Sequence, residues 1–485
     1  MSDSPVHGLD GPASADGAPR TAVVVGGGVA GLSAAVRLAQ AGVAVTLVES
    51  RKRVGGRAGS MHDPELDAWV DNCQHVLLRG CTHLIDFYKR LQVYKQIRWH
   101  SKLYFEAPGG VDVLAADDLP APMHLFRSML GFTRLSPGEK WAVMRGLLAV
   151  MQVSRRGRAF HADESFGDWL RARRQPPGAV SRFWEPVVVS ACNARPDHVA
   201  AHYALQVFQE GFLYTGVAYE MGLSEVPLAD LYEPAGEMLA AAGGEVLTAS
   251  TARRIDLQDG RVAGVDLSGG RRLEADAYVS ALPADRLADA LDTDARAADP
   301  RLARLDGFHY DAIIGAHLVT LTPDGGSVLA TPHLVLSEGP FQWLFDKGAS
   351  PDAGQGHRLH AVASDADALA TTPAGEIAEM AWDAVRRACP RARDAELLHH
   401  RVIVERRATF RPEPGVDRLR PPAAGALSNL FLAGDWTATG WPSTMEGACR
   451  SGYNAAAAAL EALGLSAPEP IDDLAPGSFY QLLSA

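Results

Sequence analysis

Cysteine is scarce and scattered. The 485-residue chain has five, at positions 73, 81, 192, 389 and 449, with no C-x-x-C pair. An odd, dispersed set builds no disulfide framework and offers no zinc or iron–sulfur ligand spacing, so a reducing compartment, the cytoplasm, is expected. Positive charge is in deficit: 46 Lys and Arg face 58 Asp and Glu, a net charge of −12. That argues against nucleic acid as a general partner. No uninterrupted apolar stretch is long enough to span a bilayer. Residues 1–20, rich in Ala, Ser, Gly, Pro and Asp, lack the basic start and apolar run of a signal peptide and read as a disordered leader. A protein that is soluble or rests on a membrane surface is expected. The length exceeds one hydrophobic core, so two or more domains are expected.

What the chain does have is concentrated in residues 21–50. Ala22 to Val25 read as a buried strand, and Gly26, Gly28 and Gly31 follow in the spacing G-x-G-x-x-G. A helical pattern through Leu32, Ala35, Val36 and Ala39 is closed by Gly42, and a second strand, Val43 to Val48, ends at Glu49. In such a βαβ unit the first glycine makes the tight turn, the second admits a pyrophosphate, and the third lets helix pack on strand. The helix N-terminus presents free N–H groups and partial positive charge to the phosphates. Glu49 accepts from a ribose 2′-OH and repels a 2′-phosphate. The expected ligand is therefore a dinucleotide of the FAD or NAD type, not NADP.

A second glycine-rich turn, Gly55–Gly56, precedes Arg57, whose fork suits a pyrophosphate. Next, WVDNCQHVLL reads as a strand, a polar turn at Asp71 to His75, and an apolar run. His75 titrates near neutrality and is a candidate general acid; the alternative is a histidine bonded to backbone at the turn. Residues 98–115 read as strands, and 123–151 as two amphipathic helices. The second has Ser136 as N-cap, Pro137 at N1 and Glu139 at N3. With Arg155, Arg156 and Arg158 behind them, these helices are either a core-facing pair with a solvated basic tail or a membrane-touching lobe. The helical stretch 163–213 gathers Phe183, Trp184, Tyr203, Phe208 and Phe212, as core or as walls of an apolar cavity. Glu185, Glu210 and Glu220 are acid candidates there, with nothing to choose between them.

Strand-like text returns at 245–282, the length of a second half of a dinucleotide-binding domain; 313–345 and 400–410 read as strands and 374–388 as a helix. Near the C-terminus a strand, Leu430 to Ala433, ends at Gly434 and Asp435, and a small-residue helix starts near Glu446. Asp435 suits a ribityl hydroxyl, and the Thr444–Met445–Glu446 start presents N–H groups to an electron-rich ring carbonyl.

GGGVAGL with Glu49, GGR at 55–57, and LAGDW with STMEGACRSG together resemble the flavin amine oxidase and phytoene desaturase superfamily over residues 21–465. DNCQHVLLRGC, FWEPVVVSACNARP and AGDWTATGWPSTMEGA further resemble the hydroxysqualene dehydroxylases of squalene and hopanoid synthesis. The resemblance implies an α/β two-dinucleotide-binding-domain flavoprotein with an interleaved α+β substrate domain of amine oxidase type. The implied FAD-binding domain is discontinuous over 21–105, 228–300 and 425–465; 106–227 and 301–424 form the substrate domain and 466–485 a tail. It implies noncovalent FAD, a polyisoprenoid substrate and an unidentified electron donor. To the residues above it adds Val29, Ala30, Ser50, Arg51, Asn72, Cys73, Gln74, Ala252, Trp436 and Ala448 as the cofactor's surroundings. The implied reaction replaces an allylic C–OH by C–H. Alternatives are a carotenoid desaturase, an amine oxidase (although EGACRSG does not match the SGGCY flavin-attachment motif) and a prenyl-lipid carrier. A substrate resident in lipid adds the expectation of peripheral contact with the inner face of the cytoplasmic membrane through 123–151.

Overall fold

The computed structural model describes residues 20–350 and 356–484, so the expected leader lies, but for Arg20, outside the described residues. The β-branched run at the start forms strand β1 (Thr21–Val25), buried between helices as a parallel strand must be. Helix α1 (Val29–Gln40) crosses back to strand β2 (Ala44–Val48). Three later segments complete an all-parallel five-stranded sheet, in the order Glu245–Leu247, β2, β1, Ala277–Ser280 and Leu430–Leu432. In register, Val24 lies between Leu47 and Val279.

The small-residue helix Met445–Ala462 packs on α1 at close range. A Cβ on Gly452 would lie 2.2 Å from the Ala30 carbonyl oxygen, so only glycine lets the two backbones meet there. Ala34, Ala35, Ala455, Ala456 and Ala459 fill the same seam, all fully buried. Cys449 lies in this seam too, with its thiol pushed well up by burial.

A second, seven-stranded mixed sheet runs Glu396–Phe410, Tyr310–Leu321, His357–Ala363, Trp343–Ala349, His333–Val335, Lys102–Ala107 and Gly110–Ala115. Helix Ala374–Ala388 covers it with Ile377, Ala381, Trp382 and Val385. The hairpin Lys102–Ala115 belongs wholly to this sheet, so the expected domain boundary at 105 falls inside one of its strands. The stretch 245–282 is likewise divided: its ends enter the parallel sheet, and its middle forms a separate three-stranded antiparallel sheet.

Helices Phe166–Ala172, Glu185–Cys192 and Ala201–Phe208 make the rest of the second lobe, with π-helical turns at Val180–Trp184 and Gln209–Leu213. Phe166, Trp184 and Phe208 are core residues, whereas Phe212 reaches a cavity. Helix Pro137–Met151 begins with the expected capping box between Ser136 and Glu139. Of the basic residues that follow, Arg158 turns inward to Glu210 and Arg155 reaches it from an exposed position, while Arg156 is exposed.

Candidate active site

The glycine-rich turns meet at the C-terminal ends of β1 and β2. Gly26 has φ +109°, and a Cβ there would lie 2.8 Å from the Ala281 oxygen. A Cβ on Gly31 would lie 1.8 Å from the Gly26 oxygen, so helix and turn are in backbone contact. Gly28 differs. It caps α1 in extended conformation, φ −76°, and a Cβ on it would meet nothing nearer than Gly56 at 3.9 Å. Its freedom from side chain keeps open the space in front of the Val29, Ala30 and Gly31 amides, the cradle a pyrophosphate needs. The Gly55 amide donates to the Gly27 oxygen at 2.8 Å, joining the second turn to the first.

Glu49 is buried at the end of β2. Its Oε2 accepts from the Gly27 amide at 2.8 Å, and Oε1 from the Arg51 amide at 2.7 Å and Ser50 Oγ at 3.1 Å. The carboxylate therefore stands, fixed, beside the phosphate cradle. The amides of Ala249 and Ser250 donate to the Arg51 and Glu49 oxygens, which brings the segment leading to Ala252 alongside. Ala252 itself opens the small antiparallel sheet.

Arg57 and Asp435, 378 residues apart, form an ion pair at 2.5 Å. Arg57 also donates to the Ala408 oxygen at 2.8 Å, and Asp435 also accepts from Ser443. Burial opposes both charges, yet the mutual attraction outweighs it: the arginine is held up and the carboxyl down. Arg420, fully buried, braces the same loop with bonds to the Asp435 oxygen at 3.0 Å and the Thr437 oxygen at 2.5 Å. Gly434 has φ +137° and donates to Ser451 Oγ at 2.8 Å. Thr444 caps helix Met445–Ala462 through the Gly447 amide, leaving the first-turn amides of Met445 and Glu446 without a helical acceptor. Ala448 continues that first turn.

Three expected site residues use their side chains elsewhere. Glu446 accepts from the His83 and Leu84 amides and from Arg450 at 2.6 Å, so it caps helix Thr82–Arg90 and only its amide faces outward from the helix start. Trp436 donates to the Leu282 oxygen at 3.0 Å and packs on Phe308 in the core. Gln74 accepts from Lys347 at 3.2 Å and lines a separate polar cleft of about 670 Å³. Asn72 donates to the Arg57 oxygen at 3.4 Å, and Cys73 is buried with its thiol pushed up to about 12 by burial.

His75 is corrected. Its Nδ1 lies 3.1 Å from the Cys73 carbonyl, which can only accept, so Nδ1 carries the hydrogen and Nε2 is an acceptor. Burial lowers its pKa, and nearby Arg57 and Lys347 lower it further against the pull of the Cys73 carbonyl and Asp71. The arrangement matches the alternative of a histidine bonded to backbone at the turn, and burial works against the ring carrying a proton.

Beside the start of helix Met445–Ala462 opens an apolar cavity of about 200 Å³, walled by Val76, Leu78, Val187, Phe212, Trp343 and Trp441 among others. Of the three acid candidates only Glu210 lines it. Glu220 pairs with Arg79 at 2.9 Å, and Glu185, its carboxyl pushed up by burial, stands outside the lining.

Residues 29–460 match the family model described as flavin containing amine oxidoreductase. The chain belongs to this family. It is an FAD-dependent oxidoreductase, and the phosphate cradle, Glu49 and the Arg57–Asp435 pair fit that cofactor. The hydroxysqualene dehydroxylase of Rhodopseudomonas palustris is 30% identical over 466 residues, 91% of this chain and 99% of that one. The 15-cis-phytoene desaturase of Synechococcus elongatus is 28% identical over 457 residues, 88% and 93%. Among solved structures, an oxidoreductase from Methanosarcina mazei superimposes with a TM-score of 0.69 at 17% identity, covering 89% of this chain and 98% of that one; this likeness speaks for fold alone.

Several functional positions gave no signal in the sequence. Arg420 and the Arg57–Asp435 pairing depend on contacts between distant segments, with no local pattern to mark them. Glu210 stood among three glutamates until the cavity separated it.

Proposed function

We propose that this flavoprotein reduces a polyisoprenoid alcohol, converting hydroxysqualene to squalene in squalene and hopanoid synthesis. The observation that carries this reading is the apolar cavity against the Trp441–Glu446 segment, at the helix start that the sequence reading assigned to the flavin ring. The similarity to the R. palustris dehydroxylase supports it. Bound reduced FAD supplies hydride, so hydroxysqualene and FADH2 give squalene, water and FAD. The protein's own part is to hold the cofactor through the cradle, Glu49, Arg57 and Asp435, and to enclose an allylic cation in walls that exclude water. Val76, Phe212, Trp343 and Trp441 provide such walls.

The reading includes peripheral membrane contact, since the substrate resides in lipid. Within the expected stretch 123–151, Leu125 and Phe132 are core residues. Leu130, Trp141 (63%) and Leu148 within that stretch are exposed, as is Phe160 (90%) just beyond it. Trp141, Arg145 and Leu148 share one face of their helix, an apolar and basic mixture suited to an anionic interface. Among the described residues no helix is long and apolar enough to cross a membrane.

Product analysis tests the reading. Holoenzyme is incubated in liposomes with hydroxysqualene, phytoene or primary amines, each with reduced and with oxidised flavin. Squalene from hydroxysqualene under reducing conditions supports it. Desaturation of phytoene or oxidation of amines, without squalene, replaces it.

A further inference from the structure

Glu210, 2% exposed, lines a mainly apolar cavity whose polar lining also includes Ser190, Gln206, Thr444 and Glu446, the last with both carboxylate oxygens engaged by the His83 and Leu84 amides and Arg450. It sits on the π-helical turn Gln209–Leu213, whose extra residue interrupts the helical ladder, a distortion frequent at functional sites. Gln209 fixes that turn by donating to the Val150 and Val153 oxygens at 2.8 and 2.6 Å. The charge is compensated from behind. Oε1 accepts from Arg158 at 2.7 Å and lies 3.4 Å from Arg155, which in turn reaches Asp473. Oε2 makes no hydrogen bond among the described residues, yet it is not sealed from contact as the fully buried, unpartnered polar atoms are. Two guanidiniums thus face Oε1, and Oε2 is left without a protein partner at a cavity whose lining is mostly hydrocarbon.

A purely apolar ligand leaves that oxygen desolvated and unpaired, which costs binding. A ligand carrying one O–H satisfies it. Resting on the proposed reaction, we infer that Glu210 is the specificity-determining residue for the alcohol: Oε2 accepts a hydrogen bond from the substrate hydroxyl and disfavours the hydroxyl-free hydrocarbon. Product release follows from the same preference, because loss of the hydroxyl removes the bond that retained the substrate. Arg158 and Arg155 are positioning residues that hold the carboxylate in place and keep its other oxygen occupied.

The test measures a ratio. Wild-type holoenzyme, Glu210→Gln, and Glu210→Gln combined with Arg158→Gln are each equilibrated with liposomes holding equal hydroxysqualene and squalene. The lipid bound to re-isolated protein is quantified. The double variant removes both charges, so no arginine is left buried alone. Wild type is expected to favour the alcohol by about tenfold or more, the worth of a hydrogen bond to a charged group, and both variants to fall near unity. A measurement on wild type alone accompanies it: the methyl ether of hydroxysqualene, lacking the donor hydrogen, should bind no better than squalene. A wild-type ratio near one, a folded variant that keeps the wild-type ratio, or an ether bound as well as the alcohol overturns the assignment. Turnover separates this from the proposed reaction. If wild type makes squalene while the ratio ignores Glu210, the assignment falls and the reaction stands. If the ratio follows Glu210 but no squalene forms, Glu210 recognises an alcohol and the reaction is wrong.

Discussion

Gly28 and Gly31 lie three residues apart in one motif, and the structure separates what each does. At Gly28 the backbone is extended, φ −76°, a conformation any residue adopts, and an added Cβ would stand 3.9 Å from its nearest neighbour. Gly28→Val therefore gives up about 1 kcal/mol of capping preference and regains a similar amount from the stiffer unfolded chain. The apoprotein should unfold within a few degrees of wild type. What the valine fills is the space in front of the α1 amides. Bound FAD should fall at least tenfold, a loss of about 1.4 kcal/mol or more. Gly31→Ala is the reverse case. Its Cβ would sit 1.8 Å from the Gly26 oxygen and 3.1 Å from the Ala281 Cβ, both in buried backbone that cannot swing away. Overpacking of this kind costs about 1–3 kcal/mol, and the apoprotein should lose stability before any question of cofactor arises. Urea unfolding of the apo forms, and the ratio of flavin to protein absorbance after dialysis against FAD, read the two effects separately. Acid precipitation of the wild type should release its flavin to the supernatant. Wild-type flavin content in folded Gly28→Val would refute the placement of the phosphates, and a Gly31→Ala protein as stable as wild type would refute the packing argument.

His75→Gln should keep FAD content and turnover within about threefold of wild type; a rate loss of the 10²–10⁴-fold typical of a lost acid would restore it as proton donor. Burial depresses His317 to about 4 from its ordinary 6.5, with its Nε2 donating to the Asp71 oxygen at 2.9 Å. The unfolded state then binds the extra proton first, so this stability is complete above pH 6.5 and is lost as pH falls towards 4. Its share is about 3 kcal/mol. His317→Gln should flatten the urea-midpoint profile over that window, and an unchanged slope would show the ring already protonated or hydrated in the fold. Replacing Trp141, Leu148 and Phe160 together by Ser should abolish flotation with anionic liposomes and leave the far-UV spectrum unaltered. Flotation unaffected by the triple change would move the membrane face elsewhere.

Legibility in the sequence follows locality. The βαβ start, its glycines, Glu49 and the capping box at Ser136 are written in contiguous residues, because turn sterics and helix ends act over a few positions. The strands at 430 and 277 could be placed in the same sheet only through the resemblance, since parallel pairing joins segments hundreds of residues apart. Side-chain direction was less legible still. Glu446 sits in the first turn of its helix, where an anion is favourable, yet its carboxylate caps a different helix. Leu125 and Phe132 look as apolar as Trp141 and Leu148, and only the packed lobe decides which pair meets solvent. His75 carried an ordinary pKa on paper because the burial that lowers it, and the Arg57 and Lys347 charges that add to the lowering, appear only in three dimensions.

The most direct test of the central claim is a single turnover without oxygen. Enzyme whose flavin has been photoreduced is mixed with hydroxysqualene in liposomes, flavin absorbance is followed, and the lipid is analysed at the end. The account predicts one squalene formed for each flavin reoxidised, and none from enzyme whose flavin was left oxidised. Squalene made by oxidised enzyme, or flavin that stays reduced while hydroxysqualene is recovered intact, would contradict it.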